Sequence, residues 1–349
     1  MSIQDLLGIE IPIIQAPMAG VQSSALAIAV SNAGGLGSLP CGMLSVEAIR
    51  KEMAAIKAQT KRPFNVNFFC HTKPEPNSEH EAAWRATLSP YYEEYGIDLS
   101  TIAGGAGRLP FSPEAADVLA EFRPAVVSFH YGLPEQGLLD QVRKWGAKIL
   151  STATTVEEAR WLEAHGVDAI IAQGLEAGGH RGVFLLDDLN TQIGTFALLP
   201  QIVRAVNIPV IAAGGIADAN GVSAALSLGA AGVQIGTAYL LCPEATTSAV
   251  HRAAIKSDSA IFTALTNLFS GRPARGIANR LMKELGPMSP VAPAFPLASA
   301  ALAPLRAEAE RLGSGDFSPL WAGQNVSGCK EIPAADLTLE LAKGANGAH

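Results

Sequence analysis

One glycine-rich segment carries residue types that can do chemistry on a bound ligand. Residues 172–182 read AQGLEAGGHRG and hold one imidazole among four glycines. The apolar run 169–172 predicts a buried strand, so His180 stands on a loop just beyond it. An imidazole with an ordinary pKa near 6.5 serves as a base or as a cation around neutral pH. His180 is therefore the candidate catalytic residue, and a plain surface turn is the alternative.

Other polar side chains follow predicted strands elsewhere in the chain. Asn67 and Gln173 carry amides that suit the polar edge of a ring-shaped ligand, and Met18 contacts that ligand unless it is an ordinary core methionine. His71 and His130 are candidates for the substrate pocket, with structural roles as the alternative. The candidate histidines show neither helical spacing nor a carboxylate at a metal-ligand interval, so the sequence predicts no metal site.

Glycines at the ends of two further apolar runs predict a phosphate site. Gly214 and Gly215 follow one run, and Gly236 and Thr237 end the other. In a barrel, backbone N–H groups and helix N-termini at such neighbouring strand ends can surround a phosphate, although tight turns explain either pair alone. The run AGGLG at 33–37 precedes a strand instead of opening a helix, so it is no dinucleotide fingerprint. FMN or a sugar phosphate is then the expected ligand.

The elements that must position these residues alternate along the chain. Eight nearly continuous apolar runs predict strands buried on both faces of a parallel sheet, namely 12–17, 37–40, 64–69, 125–129, 148–152, 169–172, 209–213 and 232–236. Helices are predicted between them at 24–32, 45–58, 135–145, 155–165, 196–206 and 218–228. The pattern favours an α/β fold, a TIM (β/α)8 barrel with a small, mostly helical capping domain; a doubly wound sheet is the alternative.

Two regions interrupt the alternation and suggest a domain division. Residues 72–113 form a charged and aromatic insertion that we predict to be part helix and part lid. We expect the barrel in 1–243, a mostly helical capping domain in 244–325, and a tail in 326–349 that packs back on the barrel.

Composition excludes several classes of protein. Apolar residues make up 48% and charged residues 16% of the 349 residues, which is enough apolar side chain to form a large core. The net charge of −7 argues against a nucleic-acid partner. The uncharged stretches 219–243 and 285–305 are broken by glycine or proline, so no membrane span is predicted. MSIQDLLGIE lacks a signal peptide's basic start, and four separated cysteines suit reduced thiols, so we expect a cytoplasmic protein.

Five segments carry motifs that occur together in one known family, namely 11–42, 62–71, 127–134, 172–182 and 208–242. Among them, VNFFCH, SFHYGLP and EAGGHRG form a narrow combination, whereas the AGG and QIGT elements also occur in other FMN barrels. Together the segments resemble the class I nitronate monooxygenases, FMN enzymes also called 2-nitropropane dioxygenases. The segment PLWAGQ at 319–324 is also similar to this family, without an assigned role.

The resemblance implies an activity and a set of site residues. The family oxidises alkyl nitronates, propionate 3-nitronate above all, with O2 through a flavin semiquinone to a carbonyl compound plus nitrite or nitrate. It needs neither nicotinamide nor metal. His180 would be catalytic and Gly214 would join the phosphate contacts. FMN would be bound by Asn67, Gln173, Gly178, Gly215, Gln234, Ile235, Gly236 and Thr237.

The expected partners are an anionic nitronate and O2, with no nucleic acid or membrane, and a homodimer is left open. Since a nitronate is already an anion, we expect His180 to position it and to act as a base only toward neutral nitroalkanes. Arg181 would attract the anion, or pair with Glu176 or Asp187. The rival interpretations are an FMN-dependent enoyl-thioester reductase that uses NADH or NADPH, and a non-redox FMN- or phosphate-binding barrel.

Overall fold

Eight parallel strands form the centre of the molecule. The computed structural model describes residues 2–75, 77–98 and 108–345. Within these ranges the barrel strands are β1 (Ile13–Gln15), β2 (Gly37–Pro40), β3 (Phe64–Phe69), β4 (Val126–His130), β5 (Lys148–Ala153), β6 (Ala169–Gln173), β8 (Val210–Ala213) and β9 (Gly232–Ile235). Every strand lies within two residues of its predicted bounds.

The strands close into a barrel. Their order is β1-β9-β8-β6-β5-β4-β3-β2, and every neighbouring pair is parallel. A parallel bridge joins Ile14 to Leu36, and the Gln15 N–H donates to the Leu36 carbonyl at 2.9 Å, which connects β1 to the start of β2. The interior is filled by apolar side chains, among them Ile14, Leu150 and Ile211. The predicted TIM barrel is confirmed, and the doubly wound alternative is wrong.

Helices surround the barrel, and all of the following except α5 lie within two residues of predicted helices. They are α2 (Ser24–Asn32), α3 (Val46–Gln59), α5 (Pro113–Phe122), α6 (Gln136–Arg143), α7 (Val156–Ala164), α8 (Thr195–Ala205) and α9 (Ala219–Ser227). The position after β9 is taken by α13 (Ala334–Ala342), which packs against α2 and α9 and bonds to Tyr239 through the Thr338 hydroxyl. The helix α1 (Ile3–Leu7) buries Ile3 and Leu7 with the residues of the barrel interior.

A second apolar cluster joins the insertion to the C-terminal third. The insertion contains α4 (Ser78–Glu94), which packs on α11 (Arg280–Glu284) and α12 (Ala298–Arg311). Trp84 Nε1 donates to the Ala298 carbonyl at 3.1 Å, and the Tyr92 hydroxyl donates to the Ala301 carbonyl at 2.5 Å. The predicted helix in the insertion is present; part of the predicted lid, 99–107, lies outside the described residues. The short α10 (Ala249–Ile255) precedes this region.

A small antiparallel sheet, not predicted from the sequence, lies over the barrel mouth. It consists of β7 (Gly179–His180), β10 (Thr263–Thr266) and β11 (Ala274–Ile277). In the register of β7 with β11, His180 faces Ala274 and Gly179 faces Arg275. The loop that carries the candidate histidine is thereby fixed to the C-terminal third. Among the described residues, no helix has the length and apolarity needed to cross a membrane.

Candidate active site

A cavity opens at the C-terminal ends of the barrel strands and brings together most of the predicted site residues. Its wall includes the following members of that set: Met18, Asn67, His130, Gln173, Gly178, His180, Gly214, Gly215, Gln234, Ile235, Gly236 and Thr237. His71 is not part of this wall. It is 4% exposed and lies behind Phe295, its ring centroid 4.9 Å from that of the phenyl.

His180 is held at the edge of the cavity by polar and aromatic contacts. Its Nε2 lies 2.8 Å from Ser270 Oγ, and its ring packs edge-on against Phe295 and Trp321, each 5.4 Å away between centroids. Burial holds the pKa of His180 well below the ordinary value, and the nearby Arg108 charge contributes in the same direction. The expected ordinary pKa is therefore wrong, because a dry, positively charged surrounding disfavours the imidazolium. His180 is neutral at pH 7.

The neighbouring His130 supports the loop. Its Nε2 lies 3.2 Å from the His180 carbonyl, and its Nδ1 lies 3.1 Å from Thr152 Oγ1. Since a carbonyl only accepts, Nε2 carries the proton and Nδ1 accepts from the threonine hydroxyl. Burial lowers the pKa of His130 to about 4, so this neutral arrangement persists at pH 7. His130 thus both lines the cavity and fixes the backbone of the candidate catalytic residue.

Gln173 and Arg181 form the frame of the same loop. The Gln173 amide donates to the His180 carbonyl at 2.9 Å and accepts from the Gly182 N–H at 2.8 Å. Arg181 is fully buried and donates to the carbonyls of Gln173 and Gly174 and to Gln192 Oε1. It forms no ion pair with a described carboxylate and does not line the cavity. Both roles expected for Arg181 are wrong, because backbone carbonyls satisfy its guanidinium.

Several unpaired groups in the cavity wall fit a flavin. Gln234 Oε1 is buried and has no hydrogen-bond partner among the described residues. Asn67 donates through Nδ2 to Ser128 Oγ at 2.9 Å, while its Oδ1 accepts no bond from the described chain and remains available to a ring N–H. A carboxamide at each of these positions matches the alternating donors and acceptors of a flavin's polar edge.

The other end of the cavity fits a phosphate. Gly214 and Gly215 have φ of 120° and 74°, a left-handed backbone that favours glycine and that turns the chain tightly at this strand end. The 3₁₀ helix Thr237–Leu241 begins there without a side-chain cap. The N-terminus of α9 is different, since the carboxylate of Asp218 accepts from the Gly221 N–H at 2.8 Å. The contribution of that helix N-terminus to phosphate binding stays a prediction.

Comparison with known proteins identifies the family. A family model described as nitronate monooxygenase matches residues 1–344. A protein from Paraburkholderia phytofirmans with that name is 43% identical over 96% of this chain and 92% of the relative. One from Pseudomonas aeruginosa with the same name is 44% identical over 98% of each chain. The chain belongs to the nitronate monooxygenase family. It is accordingly a flavin-dependent oxidoreductase that acts on small molecules.

Solved structures agree with this membership of the nitronate monooxygenase family. A nitroalkane oxidase from Streptomyces ansochromogenes superposes with a TM-score of 0.90 at 38% identity, covering 100% of this chain and 99% of that one. FabK from Thermotoga maritima gives a TM-score of 0.71 at 28% identity, covering 99% and 96%. The similarity is greater to the nitroalkane oxidase than to FabK.

The site of this nitronate monooxygenase family member includes residues that the sequence did not single out. Trp321 lies in the PLWAGQ segment at 319–324, which resembles the family, and packs on His180. In the same segment, the Gly323 N–H donates to Thr237 Oγ1 at 2.9 Å, and just beyond it Asn325 Nδ2 donates to the Gly215 carbonyl at 3.1 Å. Arg108 also lines the cavity, although no motif marked it. Only the resemblance of PLWAGQ offered a signal for any of these.

Proposed function

We propose that this enzyme binds FMN and oxidises alkyl nitronates, with propionate 3-nitronate as the preferred substrate. O2 is the electron acceptor, and the products are a carbonyl compound plus nitrite or nitrate. The observation that carries the proposal is the cavity of a nitronate monooxygenase family member, with a neutral His180 at one edge and unpaired amide oxygens deeper in the wall. The left-handed turn at Gly214 and Gly215 supports a monophosphate at the far end.

The chain's own residues divide the work of binding. Asn67 and Gln234 would hold the polar edge of the ring, and Gly178 would allow a close approach of the backbone. Gly214, Gly215, Gly236 and Thr237 would hold the phosphate. The bound flavin supplies the electron transfer between nitronate and oxygen. Met18, whose Sδ would lie 3.4 Å from a Cβ at Gly236, would pack beside the cofactor.

His180 would orient the substrate rather than deprotonate it. A nitronate already carries its negative charge, so no α-proton has to be removed. The neutral imidazole is held by Ser270 Oγ and by the bonds to the His180 carbonyl, which fixes it against the substrate end of the cavity. The depressed pKa keeps it available as a base when a neutral nitroalkane is bound.

Colour and oxygen uptake test the proposal. The purified protein should be yellow, release FMN on denaturation, and consume O2 rapidly with propionate 3-nitronate. Anaerobic addition of NADH should leave the flavin oxidised, whereas rapid bleaching would indicate the enoyl-thioester reductase. A colourless protein that takes up no added FMN would contradict both redox functions and favour the non-redox phosphate-binding barrel.

Three statements about the whole protein stay predictions. They are the division at 243 and 325, the homodimer and the cytoplasmic location. Size measurement in solution tests the homodimer, and cell fractionation tests the location.

A further inference from the structure

Unpaired polar atoms are clustered beside His180. Tyr131 Oη, Arg272 Nη1 and His71 Nδ1 are buried, and none makes a hydrogen bond of ordinary geometry within residues 2–75, 77–98 and 108–345, although the Arg272 guanidinium interacts with the Tyr131 hydroxyl. Native proteins satisfy nearly all of their buried polar groups, so a cluster of exceptions next to the cavity, just outside the residues that form its wall, points to a ligand that supplies the partners. Two of these three atoms belong to groups that donate, which indicates a ligand with acceptor oxygens.

The cluster is physically continuous with the candidate catalytic residue. The Tyr131 ring lies 6.4 Å from that of His180 between centroids, and Arg272 Cζ lies 4.3 Å above the Tyr131 ring. Ser270, whose Oγ contacts His180 Nε2, also reaches the Arg272 carbonyl at 3.3 Å. The short segment 270–272 therefore holds the imidazole and the guanidinium in a fixed relation.

A second guanidinium faces the same place. Arg108 lines the cavity, and its Cζ lies 5.7 Å from the Phe295 ring centroid. Neither Arg108 nor Arg272 has a carboxylate within 4 Å among the described residues. The charge of Asp187 acts on Tyr131, but Asp187 is exposed and forms no ion pair in the described chain. Positive charge is thus concentrated beside His180 without a counter-ion from the part of the chain that the structure describes.

The backbone at Tyr131 indicates that its placement matters. Its φ is 70°, in the left-handed region that bulky residues rarely adopt. Such strain persists where the surrounding structure fixes it, commonly at ligand-binding sites. Here the conformation directs a 3% exposed phenol toward His180, Phe69 and Phe295.

We propose that Arg108, Arg272 and the Tyr131 hydroxyl bind a carboxylate on the substrate while the nitronate group of the same molecule lies at His180. The inference rests on the proposed function and deepens it, since it explains how the enzyme selects its nitronate. A planar guanidinium binds a carboxylate through two parallel bonds, and the aromatic surroundings strengthen them by excluding water. Nitronates that carry a carboxylate two carbons from the nitrogen-bearing end are then favoured over simple alkyl nitronates.

Paired substrates test the carboxylate subsite. Propionate 3-nitronate is compared with 3-methylbutyl 1-nitronate, in which an isopropyl group replaces the carboxylate. Arg108→Met and Arg272→Met should each lower kcat/KM for the carboxylate-bearing substrate roughly 10- to 100-fold. Both should lower the value for the isopropyl analogue much less, so that the ratio of the two kcat/KM values falls at least tenfold. Arg50→Met, at an exposed surface pair with Glu121, is the matched control and should change neither value.

A binding measurement gives a second readout that needs no turnover. Butyrate carries the carboxylate that the subsite would bind, whereas butyramide has the same shape without the charge. The flavin absorbance of the wild type, titrated with each, should show butyrate binding at least tenfold more tightly. Arg272→Met should remove that preference. Tyr131→Phe keeps the ring and the backbone strain but loses the hydroxyl, and should weaken the binding of butyrate alone by several fold.

The two proposals fail in different ways. If the wild type oxidises both nitronates equally well, or if the arginine variants lower both rates by the same factor, the carboxylate subsite is wrong while the proposed function stands. If the wild type oxidises neither nitronate, the proposed function is wrong, and the titrations still decide the subsite. Equal affinity for butyrate and butyramide would overturn it.

Discussion

At the scale of single residues, the environment of His180 matters more than its identity. Burial lowers its pKa most, and the surrounding charges of Arg108, Arg272 and the neighbouring histidines act in the same direction. The imidazole is therefore neutral, and its Nε2 lies 2.8 Å from Ser270 Oγ. A neutral ring cannot attract an anion by charge, so we expect the attraction by charge to act on the substrate's carboxylate, through the two guanidinium groups. His180 is left to accept or donate a single hydrogen bond.

This arrangement predicts a difference between two substrates. His180→Asn should lower kcat/KM for the neutral nitro group of 3-nitropropionate by roughly 10²–10⁴-fold, because the base is lost. The same variant should lower the value for propionate 3-nitronate much less, since no proton has to be removed. Oxygen-uptake kinetics with both substrates provide the measurement. Equal losses would contradict the division of roles.

The depressed pKa also predicts a pH profile. An imidazole with an ordinary pKa loses half of its base form as pH falls to about 6.5. Because the pKa of His180 is lower, its base form persists through that pH, and kcat/KM for 3-nitropropionate should stay constant from pH 8 to below 6.5. The flavin spectrum at each pH controls for cofactor loss. A fall centred at 6.5 would show that His180 titrates normally.

At the scale of elements, the barrel was predictable and the frame of the site was not. The eight strands are continuous apolar runs, and burial on both faces requires that pattern whatever the partner strand. By contrast, β7 has two residues, and its pairing with Ala274 and Arg275 bridges about ninety residues without any local signal. Arg108 was likewise missed, because its position depends on how the insertion packs, not on a motif. The histidine was predictable, but not the groups that set its charge.

The contact between two loops makes Gly178 sensitive to substitution. A Cβ at that position would lie 2.5 Å from the Gly323 nitrogen and 2.6 Å from the Ala322 carbonyl carbon. Gly178→Ala should therefore displace the segment that carries Trp321 and weaken FMN binding at least tenfold, as measured by flavin release on dilution.

Gly137 provides the control for that substitution. It lies in α6, and a Cβ there would meet no atom within 4 Å. Gly137→Ala should keep full flavin content and raise the free energy of unfolding by up to about 1 kcal/mol. Full flavin content in Gly178→Ala would show that the 178–323 contact is not part of the cofactor site.

At the scale of the whole molecule, buried histidines couple stability to pH. Burial lowers the pKa of both His130 and His251 to about 4. In the unfolded chain both bind protons near pH 6.5, so the unfolded state holds more protons below that pH and stability falls as pH falls. Each should cost roughly 2 kcal/mol in the free energy of unfolding between pH 7 and pH 5.

Urea unfolding at the two pH values checks this dependence. His251→Gln should reduce the loss in the free energy of unfolding between pH 7 and pH 5 by roughly 2 kcal/mol, the contribution of one histidine. Gln201→Ala, which removes an exposed side chain with no ionisable group, should leave the pH dependence unchanged. If the wild type is equally stable at pH 7 and pH 5, the buried histidines do not titrate as burial requires.

The cavity is formed by two parts of the chain that lie far apart in the sequence, and this affects the order in which the enzyme is assembled during translation. The strand ends are complete by residue 237, but Trp321, Gly323 and Asn325 complete the wall from near the C-terminus. Since a nascent chain folds from its N-terminus, the strand ends are made before the segment that completes the cavity wall and before α13, which takes the last helix position of the barrel. We therefore expect the flavin to be retained only after the C-terminal segment has left the ribosome. A chain truncated before residue 321 should be purified with much less flavin than the full chain.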